Sequence, residues 1–261
     1  MICFPMLGRH GFLGNQMFQY ASLAGIAAWS NKDYQIPFFG HNLHCFNIDF
    51  TKNSYVDTPQ VQFLYQQNES DYAIDEDLRS VPGQTAIHGY FQNIGYFKHI
   101  EAKIREDFEF SDEIRTKSRL ELNSLLKSGE TAVCVHVRRG DYLSIPDVLP
   151  VCSDDYYASA FKEIKRRVDN PRFVVFSNDL PWCRDHFQSD EFSFFETENS
   201  HIDMCAISMC DHHVIANSSF SWWGAWLSKS EGKIVIRPKI WFGPRGPKKF
   251  EGMFPNEWIS L

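Results

Sequence analysis

The chain has 261 residues, of which 43% are hydrophobic, 15% aromatic and 23% charged. That apolar fraction supports a real core and excludes a disordered chain, and the length excludes a disulfide-stapled mini-domain. The formal charge is -7, from 26 Lys+Arg against 33 Asp+Glu, which argues against a dedicated nucleic-acid binder and admits an anionic ligand only where a local cationic pocket works against the overall charge.

A short strand is predicted from about Ile2 to Leu7, then a glycine-containing turn from Gly8 to Gly14 and a helix from about Asn15 to Trp29. In that helix Met17, Tyr20, Ala21, Ala24 and Ala28 recur at helical spacing. Residues 31–85, with Pro37, Pro59 and Pro82, predict short elements only. HGYFQNIGYF (88–97) reads as an aromatic strand and turn, and 97–109 as helical. Ser111 to Lys127 reads as a charged helix, opened by Ser111 and closed by Ser128-Gly129. It marks the candidate boundary between a first domain, 1–128, and a second, 129–261, with the C-terminal segment a candidate to pack back on the first. Beyond it the pattern is regular: strand 131–137, helix 154–168, strand 172–176, a segment 180–194, strand 192–196, helix 202–210, strand 213–216, helix 221–228 and strand 233–236. Strands alternating with helices predict an α/β fold with a mainly parallel sheet covered on both faces. In such sheets ligands bind beyond the carboxyl ends of the strands.

Seven cysteines, at 3, 45, 134, 152, 183, 205 and 210, form no CxxC pair. They read as free thiols of a cytosolic protein, not as a disulfide frame or a zinc site. No basic leader is present, and no apolar run approaches the roughly 20 residues of a membrane span. The pairs His41/His44 and His212/His213 lack supporting ligands, and Asp154-Asp155 after Ser153 reads as a helix start.

Polar residues collect where strands are predicted to end. His136-Val137-Arg138-Arg139-Gly140-Asp141 follows the first strand of the regular half. Ser177-Asn178-Asp179, Asn217-Ser218-Ser219 and Arg237 follow the others. Side chains alternate along a strand, so Val133, Val135 and Val137 share one face while Cys134, His136 and Arg138 share the other. An Arg at that edge can fork onto phosphate oxygens. Asp141 can hold an Arg or act as a base. An Arg–Asp pair that merely braces the turn at Gly140 fits the spacing equally well.

NSSFSWWGAWL (217–227) is a strand-to-helix turn. Ser218, Ser219 and Ser221 offer hydroxyls and a cap, and the helix start offers free N–H groups for phosphate, although an ordinary serine cap has the same pattern. The tryptophans at 222, 223 and 226 read as core anchors. GFLGNQMFQYA (11–21) places a glycine turn before a helix but is neither GxGxxG nor a Walker loop. Gly14 permits close backbone approach, and Asn15 or Gln16 can meet a ligand or simply open the helix. No GxSxG and no nucleophilic triad occurs.

Taken together and in this order, the three motifs resemble the α1,2-fucosyltransferases of glycosyltransferase family 11. Gly11 to Ala21, His136 to Tyr142 and Asn217 to Leu227 carry the resemblance, with HGYFQ (88–92) and FSND (176–179) as weaker pieces. The resemblance implies a GT-B-like α/β enzyme, with two facing Rossmann-like domains, 1–128 on the acceptor side and 129–261 binding GDP-fucose, the active site in the cleft between them, and acceptor choice in residues 31–85. It implies GDP-β-L-fucose as donor, inverting transfer to the 2-hydroxyl of a terminal galactose on a glycan, no cofactor and no required metal. By resemblance Arg138 holds the β-phosphate, His136 meets guanine or ribose, and Asp203 reads guanine. Ser218, Ser219 and Phe220 contact the nucleotide. Gly14 and Asn15 approach the donor phosphate or fucose from the first domain. Arg139 supports the turn, and Asp141 is either a support or the base. Many relatives carry a membrane anchor and this chain does not, so it resembles a soluble, cytoplasmic, bacterial-type member, with peripheral membrane association left open. Two competing readings remain: an enzyme fucosylating protein hydroxyls, and a non-catalytic GDP-sugar or glycan-binding protein.

Overall fold

A computed structural model describes residues 1–57 and 59–261. The chain divides into two compact units, residues 1–109 with 247–255, and residues 110–246 with 256–261.

The first unit holds β1 (Ile2–Cys3), α1 (Leu13–Trp29), β2 (Tyr34–Pro37), α2 (Phe50–Asn53), β3 (Ser54–Tyr55), β4 (Phe63–Gln66), β5 (Thr85–His88) and α3 (Glu101–Asp107). Its five strands form a sheet in the order β3-β2-β1-β5-β4, with every pairing parallel. The predicted first strand is shorter than expected, because a turn begins at Pro5. The helix after it begins at Leu13, with Phe12 as its first cap residue. Its polar residues are spent inward: Ser22 donates to the Phe91 carbonyl at 3.1 Å, and the Tyr20 hydroxyl meets Tyr34 and Asp107, each at 3.0 Å. That accounts for a helix buried almost all round. The aromatic stretch 88–97 is not a strand. The strand ends at His88, and Gln67 then takes over the ladder, its Oε1 accepting from the backbone N–H groups of Tyr90 and Phe91 at 2.9 and 2.8 Å. Phe91 sits at φ 50°, which breaks any extended run there. Residues 247–255 belong to this unit for concrete reasons. Tyr72 N–H donates to the Lys249 carbonyl, Lys249 pairs with Asp71 at 3.1 Å, and Asn93 donates to the Glu251 carbonyl at 2.9 Å.

The second unit follows its predicted alternation closely. It holds α4 (Asp112–Ser124), β6 (Thr131–Val137), α5 (Asp154–Arg167), β7 (Pro171–Ser177), α6 (Leu180–His186), β8 (Phe192–Phe194), α7 (Ser200–Met209), β9 (His212–Val214), α8 (Ser219–Leu227), β10 (Val235–Arg237) and β11 (Ile259–Ser260). The six strands order as β11-β10-β9-β6-β7-β8, all parallel. Ser111 caps α4 and Ser153 caps α5 as expected, and Asn199 caps α7, which begins two residues before its predicted start. The alternation read along β6 is real. Val133, Val135 and Val137 pack with Tyr156, Tyr157, Ala160 and Ile164 of α5 on one face. Ala132 and Cys134 pack with Leu122 of α4 and Ala206 and Ile207 of α7 on the other. Each such valine contributes about 1.5–3 kcal/mol by burial. Trp222, Trp223 and Trp226 of α8 are buried core residues. All seven cysteines are free thiols. Among the described residues, no helix is long and apolar enough to cross a membrane.

Candidate active site

Because β6 lies between β9 and β7 and all three run the same way, the residues that follow them leave from one edge of the sheet. His136 is the sixth residue of β6 and Arg138 is the first residue beyond it. Serines 218 and 219, beyond β9, and Ser177-Asn178-Asp179, at the end of β7, flank them. The topology therefore gathers the polar strand ends that the sequence singled out.

His136 is buried, with its ring 5.8 Å from that of Phe220. Its backbone carbonyl accepts from the Tyr157 hydroxyl at 3.0 Å, and its Nδ1 has no hydrogen-bond partner among the described residues. Burial, and then the neighbouring Arg138 charge, push its pKa down to about 3. The imidazole is thus neutral, with one nitrogen to accept and one to donate.

Arg138 pairs with Asp141 at 2.7 Å, and its guanidinium lies 5.4 Å from the Tyr142 ring. Tyr142 in turn donates its hydroxyl to the Asn217 carbonyl at 3.1 Å. The next residue, Arg139, does a different job. Its Nε donates to Asp179 at 3.2 Å, its guanidinium stacks 4.0 Å above Trp182, and its backbone N–H donates to Asn178 Oδ1 at 3.0 Å. Gly140, at φ +23°, is pressed so close to Asn178 that a Cβ there would overlap the amide. The turn is therefore clamped from β7 and α6, while Arg138 keeps about a fifth of its side chain in solvent. The bracing reading of the Arg–Asp motif is visible: Asp141 pairs with Arg138 beside the turn at Gly140.

Asn217 locks the turn before α8, donating to the carbonyls of Pro150 and Trp241 at 2.8 and 3.0 Å. Ser218 caps α8, its hydroxyl accepting from Phe220 N–H at 3.3 Å. Asp203 stands in the first turn of α7, where its carboxylate accepts from the Thr197 hydroxyl. Burial raises its pKa to about 6, against a smaller opposing pull from that hydrogen bond.

Gly14 and Asn15 lie in the first unit. Gly14 is a buried residue in the first turn of α1, and Asn15 Oδ1 accepts from Gln92 at 2.8 Å. Among the described residues, no three His, Cys, Asp or Glu side chains are grouped to hold a metal ion. Sequence reading missed the supports: Tyr142, Tyr157, Trp182 and Gln92. Tyr142, Gln92 and Trp182 were signalled by their place in or near HVRRGDY, HGYFQ and FSND, whereas Tyr157 lies outside all three motifs.

The two-sheet parallel architecture and the cationic strand end define the class. The chain has the GT-B-like fold of a crystal structure of fucosyltransferase NodZ from Bradyrhizobium, with a TM-score of 0.59, 13% identity and coverage of 87% of this chain and 92% of that one. Residues 7–261 match the sequence profile of Glycosyl transferase family 11, and the chain belongs to that family. It is 30% identical to an alpha-1,2-colitosyltransferase of Escherichia coli, over 96% of each chain. It is 29% identical to the rat galactoside alpha-(1,2)-fucosyltransferase 2, over 96% of this chain and 75% of that one.

Proposed function

We propose that the chain is an inverting galactoside α1,2-fucosyltransferase, moving L-fucose from GDP-β-L-fucose to the 2-hydroxyl of a terminal galactose on a glycan. The observation that carries this reading is Arg138, paired with Asp141 at the carboxyl end of β6, the strand next to the one that leads into α8. As the anomeric carbon parts from GDP, negative charge grows on the diphosphate. A fixed guanidinium and helix N–H groups lower that barrier without reorganising. Arg138 holds the β-phosphate, exchanging Asp141 for it. Ser218, Ser219 and Phe220 contact the nucleotide, His136 offers guanine or ribose a neutral imidazole, and Asp203 reads guanine. Asp141, once released, is the candidate base for the acceptor hydroxyl, which it must reach within about 3 Å. In this reading the leaving charge is met by Arg138 and not by a divalent cation, no cofactor takes part, nucleic acid is no partner, and the enzyme works in the cytoplasm.

The colitosyltransferase relative supports a second donor reading, because colitose is fucose without its 3-hydroxyl. A site that hydrogen-bonds that hydroxyl rejects the deoxy sugar by about 10⁴–10⁵, whereas an apolar contact there does not. The deciding experiment is a donor-by-acceptor screen in EDTA, with GDP release and product linkage read together. Transfer from GDP-fucose to a terminal galactose with an α1,2 linkage supports the proposal. Transfer from GDP-colitose alone moves the donor, and transfer to a folded protein domain alone moves the acceptor. GDP binding without turnover removes the enzyme.

A further inference from the structure

In the first unit β1, β2 and β5 are adjacent and parallel, so the segments after them, 4–12, 38–48 and 89–93, leave from one edge. Those segments are tied together. Gly8, at φ +89°, approaches Gly40 so closely that a Cβ would overlap the Gly40 carbonyl. Gln16 accepts from Asn42 N–H at 2.7 Å and donates to the Gly11 carbonyl at 3.1 Å. Gln19 donates to the Gly89 carbonyl at 3.1 Å, and Gln92 to Asn15 at 2.8 Å. The rings of His10 and His88 meet at 5.0 Å.

The chemistry of this rim is distinct. Phe39 is 69% exposed and Phe12 72% exposed, and His10 and His44 are also exposed. Across these three segments the one charged side chain is Arg9. Leaving two phenyl rings in water forgoes their burial, yet Phe39 stands on a rigid mount. Its ring meets Phe38 edge-on at 4.8 Å, and Phe38 meets His44 at 5.8 Å and Phe50 at 6.3 Å. His44 stacks on His41 at 4.7 Å and packs on Phe50 at 4.5 Å. His41 and His44 each donate Nε2–H to a backbone carbonyl, of Pro37 at 2.9 Å and Phe38 at 3.0 Å. A nucleoside diphosphate needs several cations, and these segments offer Arg9 alone. A hexopyranose presents one apolar C–H face and a fringe of hydroxyls. An aromatic face flanked by imidazoles and amides matches it.

We propose that Phe39, exposed on the loop after β2 and backed by Phe38, is the platform on which the terminal hexopyranose of the acceptor glycan stacks. This rests on the galactoside-transfer reading above. The test is steady-state kinetics with a galactoside acceptor varied at saturating donor, and then the reverse. Phe39→Ala raises the acceptor KM about ten-fold, the size of one ring contact, and changes the donor KM less than about two-fold. Phe39→Tyr, which keeps the ring face, restores the acceptor KM. Phe63→Ala, which removes an exposed ring on β4 outside the rim, moves neither constant. An unchanged acceptor KM in Phe39→Ala, or a donor KM rising in step with it, overturns the platform. Calorimetry with GDP on the wild-type chain separates the two readings. A chain that binds GDP but ignores Phe39→Ala loses the platform alone, and a chain that binds no GDP loses both.

Discussion

At the carboxyl edge of the second sheet stand Arg138, Arg139 and the cap of α8. At the carboxyl edge of the first stand Phe12, Phe39, His44 and a set of amides. Both units use a parallel sheet with loops at one edge, and the two edges carry opposite chemistry. The second carries two arginines inside a chain whose formal charge is -7, and Asp141 holds the first of them, Arg138, in place. The first carries exposed aromatic rings and one charged side chain, Arg9. The architecture fixes where a ligand is met, and the loop residues fix which ligand it is.

The largest test strikes the cationic edge. Arg138→Ala is expected to lower kcat by about 10²–10³-fold, as for the loss of one preorganised donor to a developing anion, with an unchanged circular dichroism spectrum. Turnover near wild type would erase the contrast between the two edges. Arg138→Lys is expected to recover only part of the loss, because a point charge does not fork onto two oxygens. A smaller effect is expected at Trp182, over whose ring the Arg139 guanidinium lies. Trp182→Ala removes the stack that holds the turn at 138–141. It is expected to cost kcat about ten-fold through misplacement, with donor KM changed less. An unchanged kcat there would mean that Asn178 and Asp179 hold the turn unaided.

The contrast was half legible in the sequence. The second unit alternates apolar strands with amphipathic helices, and its ligand edge is marked by Arg, Ser and Asp at strand ends, so β6, α5 and α8 were found within a few residues. The first unit hides its strands. β1 and β3 have two residues each, too few for any periodicity, and β4 leaves Phe63 and Leu64 exposed. Its ladder is completed by Gln67, a side chain that no pattern of apolar spacing reveals. The aromatic rim was marked only coarsely, within residues 31–85, for the same reason. Phe38, Phe39, His41 and His44 read as an irregular stretch until β2 was seen to end at Pro37 beside β1.

An effect of similar size, confined to acid pH, concerns Asp203, and it sharpens the cationic side of the comparison by adding a carboxylate whose charge depends on pH. Burial raises its pKa from 3.8 to about 6. A carboxylate that accepts from guanine N–H groups must be ionised. As pH falls through about 6 the free enzyme takes up a proton there, and the donor KM is expected to rise, by about ten-fold between pH 7 and 5. His136 does not blur this window, because its own pKa lies near 3. In Asp203→Asn the donor KM is expected to be high and flat across the same range. The sign for stability is the reverse of the usual acidic group. A carboxyl whose folded pKa lies above its unfolded value helps the fold fully below the ordinary carboxylate range, and this help is lost as pH rises through about 6. Asp203→Asn is therefore expected to melt above the wild type at pH 7.5, with the gap closing toward pH 4. If instead the gap widens in acid, the carboxylate is stabilised in its charged form, and guanine recognition at Asp203 would need no cost in folding to explain it.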